Sequence, residues 1–300
     1  MTAGTLFHQE DQFKDPELDI EQIGRYRLCY YLMQDGIVVA AFDNKTKACL
    51  LFEHYRATQS LSDIPPADLV AALRELINAH HLFSAGYWRD IVWMSTHARF
   101  ALVPEALFRP EEAAHYLRLN SGKPLPSGQI HSFTCLADEY VCLFEEHEAL
   151  VRFFKNQYRN SRLILGHSAG AFLEGVFQQQ EAQLHELNLL MHGEYITLLN
   201  INAKNLRFLN VFPVKTPEDV LYFTLSVAET LEIPFAELEV RLFGKTSPDS
   251  PSKELLERYV KSVHFGKRPE PLKFSGHFHA FAGFAPHRFF SLFSACLLTP

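Results

Sequence analysis

The chain has 300 residues, 47% of them hydrophobic and 21% charged, with 14 Gly and 16 Pro. That length suits one large domain or two of ordinary size, and the composition excludes collagen-like, low-complexity and broadly disordered chains. A net charge of −7 without a long Lys/Arg run argues against a general phosphate-backbone binder, so no nucleic-acid partner is expected.

Residues 1–22 read as a polar lead-in. Met1 to Lys14 has no basic start followed by an apolar stretch, and no apolar run in the chain approaches about 18 residues, so neither a secretory signal nor a membrane span is expected. The expected location is the cytoplasm. Tyr26 to Met33 then reads as a strand, Asp35-Gly36 as a tight turn, and Ile37 to Phe42 as the antiparallel partner. Asp43-Asn44-Lys45 turns the chain again into Ala48 to Tyr55, completing a three-strand meander. Pro65-Pro66 opens a helix in which Leu69, Val70, Leu73, Leu76 and Ile77 recur at helical spacing.

Asp90 to Ser95 and Ala101 to Val103 are short strands, and Arg109-Pro110-Glu111-Glu112 begins a helix with a first-turn proline and acids suited to its dipole. Ser121 to Gly128 is a loop by composition. A hairpin around Asp138-Glu139, a helix from His147 to Tyr158, a strand Arg162 to Leu165 and a helix Ser168 to Gln180 follow. The first pattern then returns. Leu187 to Met191, Tyr195 to Asn200 and Leu206 to Phe212 make a second meander, with turns at His192-Gly193 and Asn202-Ala203-Lys204. Thr216-Pro217-Glu218-Asp219 supplies a cap, a first-turn proline and a reciprocal acid for the next helix. A strand Leu238 to Phe243 and a helix Pro251 to Val263 complete it. Leu32-Met33 matches Leu190-Met191, and Pro66-Ala67-Asp68-Leu69 matches Pro217-Glu218-Asp219-Val220. The spacing predicts one β-β-β-α-β-α unit present twice.

A duplicated unit of that order resembles the ribonuclease-H-like halves of the actin-like ATPase superfamily. The segments Leu206 to Leu225, Tyr259 to Pro269 and Pro286 to Cys296 resemble an uncharacterised bacterial family catalogued as domain of unknown function 3822. The resemblance implies an α/β actin-like ATPase fold with two halves facing a central cleft. The expected parts are a lead-in (1–22), a first ribonuclease-H-like domain (23–181) and a second with a C-terminal docking segment (182–300). The family brings no established activity and hence no catalytic residues, cofactor or metal.

In the superfamily, phosphate loops lie in the first hairpin of each half. Gln34-Asp35-Gly36-Ile37 keeps an acid and a glycine but lacks a hydroxyl, and His192-Gly193-Glu194-Tyr195 puts an acid and a bulky ring where a polyanion would sit. Gly244-Lys245-Thr246-Ser247 has one glycine where active relatives usually carry a pair on the adenosine side. Eroded loops on a retained architecture point to a non-catalytic scaffold or adaptor, whose partner is another protein or a second copy. A nucleotide-binding protein with unusual loops is the alternative.

A third reading comes from Gly166-His167-Ser168-Ala169-Gly170, a G-x-S-x-G motif between a short strand and a helix, with Asp249 and His277 following in hydrolase order. Against it stand the missing glycine-rich oxyanion loop upstream and the antiparallel meanders. Ser168 also suits a helix cap. His277-Phe278-His279, with His264 or His287, is the one metal-like grouping, and without a carboxylate nearby it reads as scattered surface or capping histidines. His80-His81 closes the first long helix. Cys29, Cys49, Cys135, Cys142 and Cys296 lack metal or disulfide spacing and are expected as buried thiols, with Cys135 and Cys142 flanking one hairpin. The apolar run from Phe289 to Leu298 is expected to dock as a helix into a core or a subunit interface.

Overall fold

The computed structural model describes residues 6–120, 124–125, 127–136, 139–179, 185–270, 272–275, 285 and 287–298. His277 and His279, Asp138 and half of the loop expected over Ser121 to Gly128 lie outside the described residues. The chain divides into two compact units. The first holds residues up to Ser168 with Pro271–Ala282 and Leu298–Pro300, and the second holds Ala169–Glu270 with Gly283–Leu297.

The first unit is built on a six-stranded sheet. Strands β2 (Tyr26–Met33), β3 (Gly36–Asp43) and β4 (Cys49–Ala57) form the antiparallel meander, and β1 (Phe7–Lys14) adds antiparallel to the outer edge of β4. After helix α1 (Pro66–Ala79), β5 (Asp90–Ser95) pairs parallel to β2, and β9 (Arg162–His167) pairs parallel to β5. The order is β1-β4-β3-β2-β5-β9. Parallel neighbours need a crossover, supplied by α1 and by α3 (Glu148–Gln157). Leu69, Leu73 and Ile77 of α1 and Leu150, Val151, Phe153 and Phe154 of α3 are the buried stripes of those helices, spaced to cover one sheet face.

Between β5 and α3 the chain inserts a second, three-stranded sheet of order β6-β8-β7, made by β6 (Phe100–Pro104), β7 (Gly128–Cys135) and β8 (Tyr140–His147). Helix α2 (Ala113–Asn120) packs on it around Leu117, Val103, Val141 and Leu143. The helix expected from Arg109 begins as one tight turn at Pro110–Glu112.

The second unit repeats the plan. β10 (Glu186–Met191), β11 (Tyr195–Asn202) and β12 (Asn205–Pro213) form the meander; β13 (Glu239–Gly244) runs parallel to β10, and β14 (Ser262–Phe265) parallel to β13. The order β12-β11-β10-β13-β14 matches β4-β3-β2-β5-β9 strand for strand. Helix α5 (Pro217–Thr230) begins with the expected capping box, Thr216 and Asp219 exchanging side-chain and backbone hydrogen bonds. The sequence and the structure part at two strands. β1 lies in the expected polar lead-in, and α6 (Pro251–Leu256) ends early so that Ser262–Phe265 can pair with β13.

Each unit ties the starts of its parallel strands with charge. Asp90, almost fully buried, lies 3.2 Å from Arg27 Nη2 and 2.7 Å from Arg162 Nη2. In the second unit Arg241 Nη2 lies 2.7 Å from Glu186 Oε2. Helix α4 (Ser168–Gln179) and helix α7 (Phe290–Ser294) meet inside the second unit, where Phe172 and Phe290 pack edge to face with centroids 5.8 Å apart. Phe290, Leu292 and Phe293 are buried, so the C-terminal apolar run fills a core.

Candidate functional site

A phosphate cradle needs backbone N–H groups that face the anion and have no protein acceptor. In the second unit the hairpin after β10 and the turn after β13 lie side by side, since Met191 is in register with Gly244. Three of their N–H groups already have acceptors within the protein. His192 N donates to Tyr195 O at 2.9 Å, Lys245 N to Met191 O at 3.1 Å, and Thr246 N to Gly244 O at 2.9 Å. Glu194 is exposed in the same hairpin and adds a negative charge. Gly244 is required by the backbone: its φ is +81°, and a Cβ would stand 2.2 Å from Met191 O. Beside it, His287 Nε2 lies 3.1 Å from Thr246 O and its ring stacks on Phe265. Burial pushes His192 down to about 4, and its Nε2 has no hydrogen-bond partner among the described residues.

The first hairpin is tied to the fold through its carbonyls. The Gln34 and Asp35 carbonyls accept hydrogen bonds from Leu61 N and Ala57 N, both at 2.8 Å. Gly36 opens β3 opposite Arg56, and a Cβ there would stand 2.1 Å from Tyr55 O. The glycine read as a turn and phosphate-loop residue is a close-approach residue between two strands.

The G-x-S-x-G motif spans the join of β9 and α4, which follow each other without an intervening residue. Gly166 makes room for Met94 Sδ and Leu298 Cδ1, each 2.8 Å from where its Cβ would be. His167 Nε2 sits 2.7 Å from His97 O, and its ring stacks on Phe100 at 5.2 Å. Ser168 is only 1% exposed and has no histidine hydrogen-bond partner among the described residues, while Asp249 is exposed in a turn of the second unit. A nucleophile needs a base within hydrogen-bond reach and access for its substrate. Among the described residues Ser168 has no such base, it is buried, and its neighbours His167 and Ala169 are buried with it.

The five cysteines are buried free thiols. Cys135 pairs across the hairpin with Tyr140 and Cys142 with Phe133, so the two sulfurs are diagonal neighbours, and burial pushes the Cys142 thiol up. His80 caps α1 as expected, and its Nε2 also lies 3.1 Å from the fully buried Glu53. Gln12 Nε2 and the Tyr55 hydroxyl donate to the same carboxylate; burial and Glu53 push the Tyr55 phenol well above its ordinary range.

Sequence reasoning missed the buried acids Glu145 and Glu146. Glu145 Oε2 receives Arg99 Nε at 2.8 Å and Leu125 N at 2.7 Å. Glu146 Oε2 accepts from Trp93 Nε1 at 2.7 Å and from the Ser95 hydroxyl, joining the inserted sheet to the end of β5. The only hint in the sequence is an acidic pair closing an otherwise apolar strand, Val141 to Phe144. Among the described residues, the group of donors suited to a metal ion is Glu10, Asp11 and His54.

A crystal structure of a Bacteroides thetaiotaomicron protein with an actin-like ATPase fold and unknown function is similar, with a TM-score of 0.70 at 18% identity over 83% of this chain and 93% of that one. A PilM-PilN type IV pilus biogenesis complex is similar at a TM-score of 0.52 and 13% identity, covering 92% of this chain and 97% of that one. No curated protein matches the chain. The family described as Protein of unknown function (DUF3822) matches residues 15–263. This chain, with its two repeated sheets, is therefore a member of the DUF3822 family and has an actin-like ATPase fold.

Proposed function

We propose that the protein is a non-catalytic actin-like scaffold or adaptor that works by binding another protein or a second copy of itself. The observation that carries this reading is the state of the hairpins. Three N–H groups of the second-unit hairpin and the adjacent turn, those of His192, Lys245 and Thr246, already donate within the protein. The Gly36 space is filled by the Tyr55 carbonyl. A polyanion would also approach Glu194 with no compensating cradle.

The similar PilM-PilN structure is described as a pilus biogenesis complex, a setting in which a protein of this fold belongs to an assembly. A surface for such a role is available on the second unit. β12 is an edge strand among the described residues, half-buried along most of its length, whereas β4 in the first unit is covered by β1. The test is a thermal-shift screen against ATP, ADP and GTP, each with Mg²⁺. The reading predicts no change in Tm at millimolar nucleotide, because only a ligand that binds the native state raises stability. A rise that saturates with concentration overturns it.

A further inference from the structure

We propose that Glu10, Asp11 and His54 form a binding site for one divalent transition-metal ion of borderline softness, with Zn²⁺ as the reference ion. The site comes from an irregularity in the first sheet. β1 and β4 pair with Gln9 opposite Tyr55 and Asp11 opposite His54, so Glu10 is an extra residue in β1. Successive residues of a regular strand point to opposite faces, but a bulge sets two residues against one and re-aims their side chains. Both carboxylates consequently reach the same imidazole. Glu10 Oε2 lies 3.0 Å and Asp11 Oδ2 3.5 Å from His54 Nδ1.

Those separations suit a coordination shell. Zn–N and Zn–O bonds of about 2.0–2.2 Å in a tetrahedron place neighbouring donor atoms about 3.3–3.5 Å apart. All three donor atoms lie within 4.8 Å of one another, so small rotations of the acids complete three corners. The imidazole is 1% exposed and fixed by the sheet, while the carboxylates are 37% and 32% exposed. One ligand is thus held by the interior and two face solvent, leaving a fourth position open to water. One nitrogen and two carboxylate oxygens are also a donor set that Zn²⁺ accepts.

The plainer arrangement is an ion pair between His54 and the acids. One imidazolium balances only one of two carboxylates, and Arg56 Nε, 3.6 Å from Glu10 Oε2 on a half-exposed side chain, supplies a weak second charge. A divalent ion neutralises both acids and holds the edge strand β1 to β4. Since Phe7 and Phe13 are the only buried apolar side chains that β1 contributes, such a clamp would matter most there. This inference is independent of the scaffold reading.

The experiment uses the full-length, untagged protein after chelator dialysis. Zn²⁺ is titrated calorimetrically, and Tm is followed with and without the ion. The expected result is one ion per chain with a Kd of about 1 µM or tighter. The E10Q/D11N double variant keeps side-chain shape and strand pairing; it should bind at least about tenfold more weakly and lose the Zn²⁺-dependent rise in Tm. No saturable binding, or a smaller loss in the double variant, overturns the proposal, because the remaining histidines would then account for any zinc taken up.

Discussion

At Gly36 the fold forbids a side chain, since the nearest atom to a Cβ would be the Tyr55 carbonyl oxygen at 2.1 Å and belongs to backbone that cannot rotate away. Gly36→Ala should destabilise the protein by about 1–3 kcal/mol, read as a lower urea midpoint at unchanged m-value. Unchanged stability would mean that the two strands approach less closely. His192 makes a pH prediction. Burial lowers its pKa from 6.5 to about 4, so between those values the unfolded chain binds more protons than the folded one. Stability is then fully present above about pH 6.5 and is lost as pH falls toward 4. Burial also lowers His97, His131 and His287, so the slope is shared. Urea unfolding of His192→Asn at pH 7 and pH 4.5 should show a smaller loss than the parent; equal losses would contradict the assignment. None of this is legible in the sequence, where Gly36 and His192 read as turn residues and Glu53, Glu145 and Glu146 as ordinary strand polar positions. The burial of these acids draws on donors distant along the chain, such as His80, 27 residues from Glu53, and Trp93, 53 residues from Glu146.

Elements with their own apolar pattern are legible in the sequence. β2 and β5 occupy the spans expected of them, and α1 and α5 begin at the expected prolines. Elements held by backbone pairing at an edge are not. β1 is mostly polar, and a bulge breaks its alternation. β14 has four residues, and its pairing of Val263 with Val240 interrupts what reads as a continuing helix. The C-terminal segment docks as its apolar pattern predicts, and the fold makes its place specific. A Cβ at Gly175 of α4 would lie 2.1 Å from Ser294 Oγ and 2.6 Å from Phe290 Cε1 on α7. Alanine there gains about 1 kcal/mol of helix propensity but overpacks the contact by about 1–3 kcal/mol. Gly175→Ala should therefore lower Tm, and adding Ser294→Ala should recover part of the loss. A Tm unchanged or raised in the single variant would place α7 elsewhere.

For the whole molecule, the duplicated plan is readable because each half reads as a three-strand meander and both following helices open on proline. The shared strand order extends that likeness to the parallel strands, although β14 carries no strand signal of its own. The state of the two hairpins is harder to read from residue types, because a cradle depends on where N–H groups point. Three of them point inward, to Tyr195, Met191 and Gly244. No described helix is long and apolar enough to cross a membrane. On the proposed reading, this member of an actin-like fold has given up the nucleotide. Isothermal titration of the full-length protein with ATP and Mg²⁺ tests that claim most directly: no saturable heat is predicted up to millimolar ATP, and a 1:1 isotherm with a micromolar Kd would contradict it.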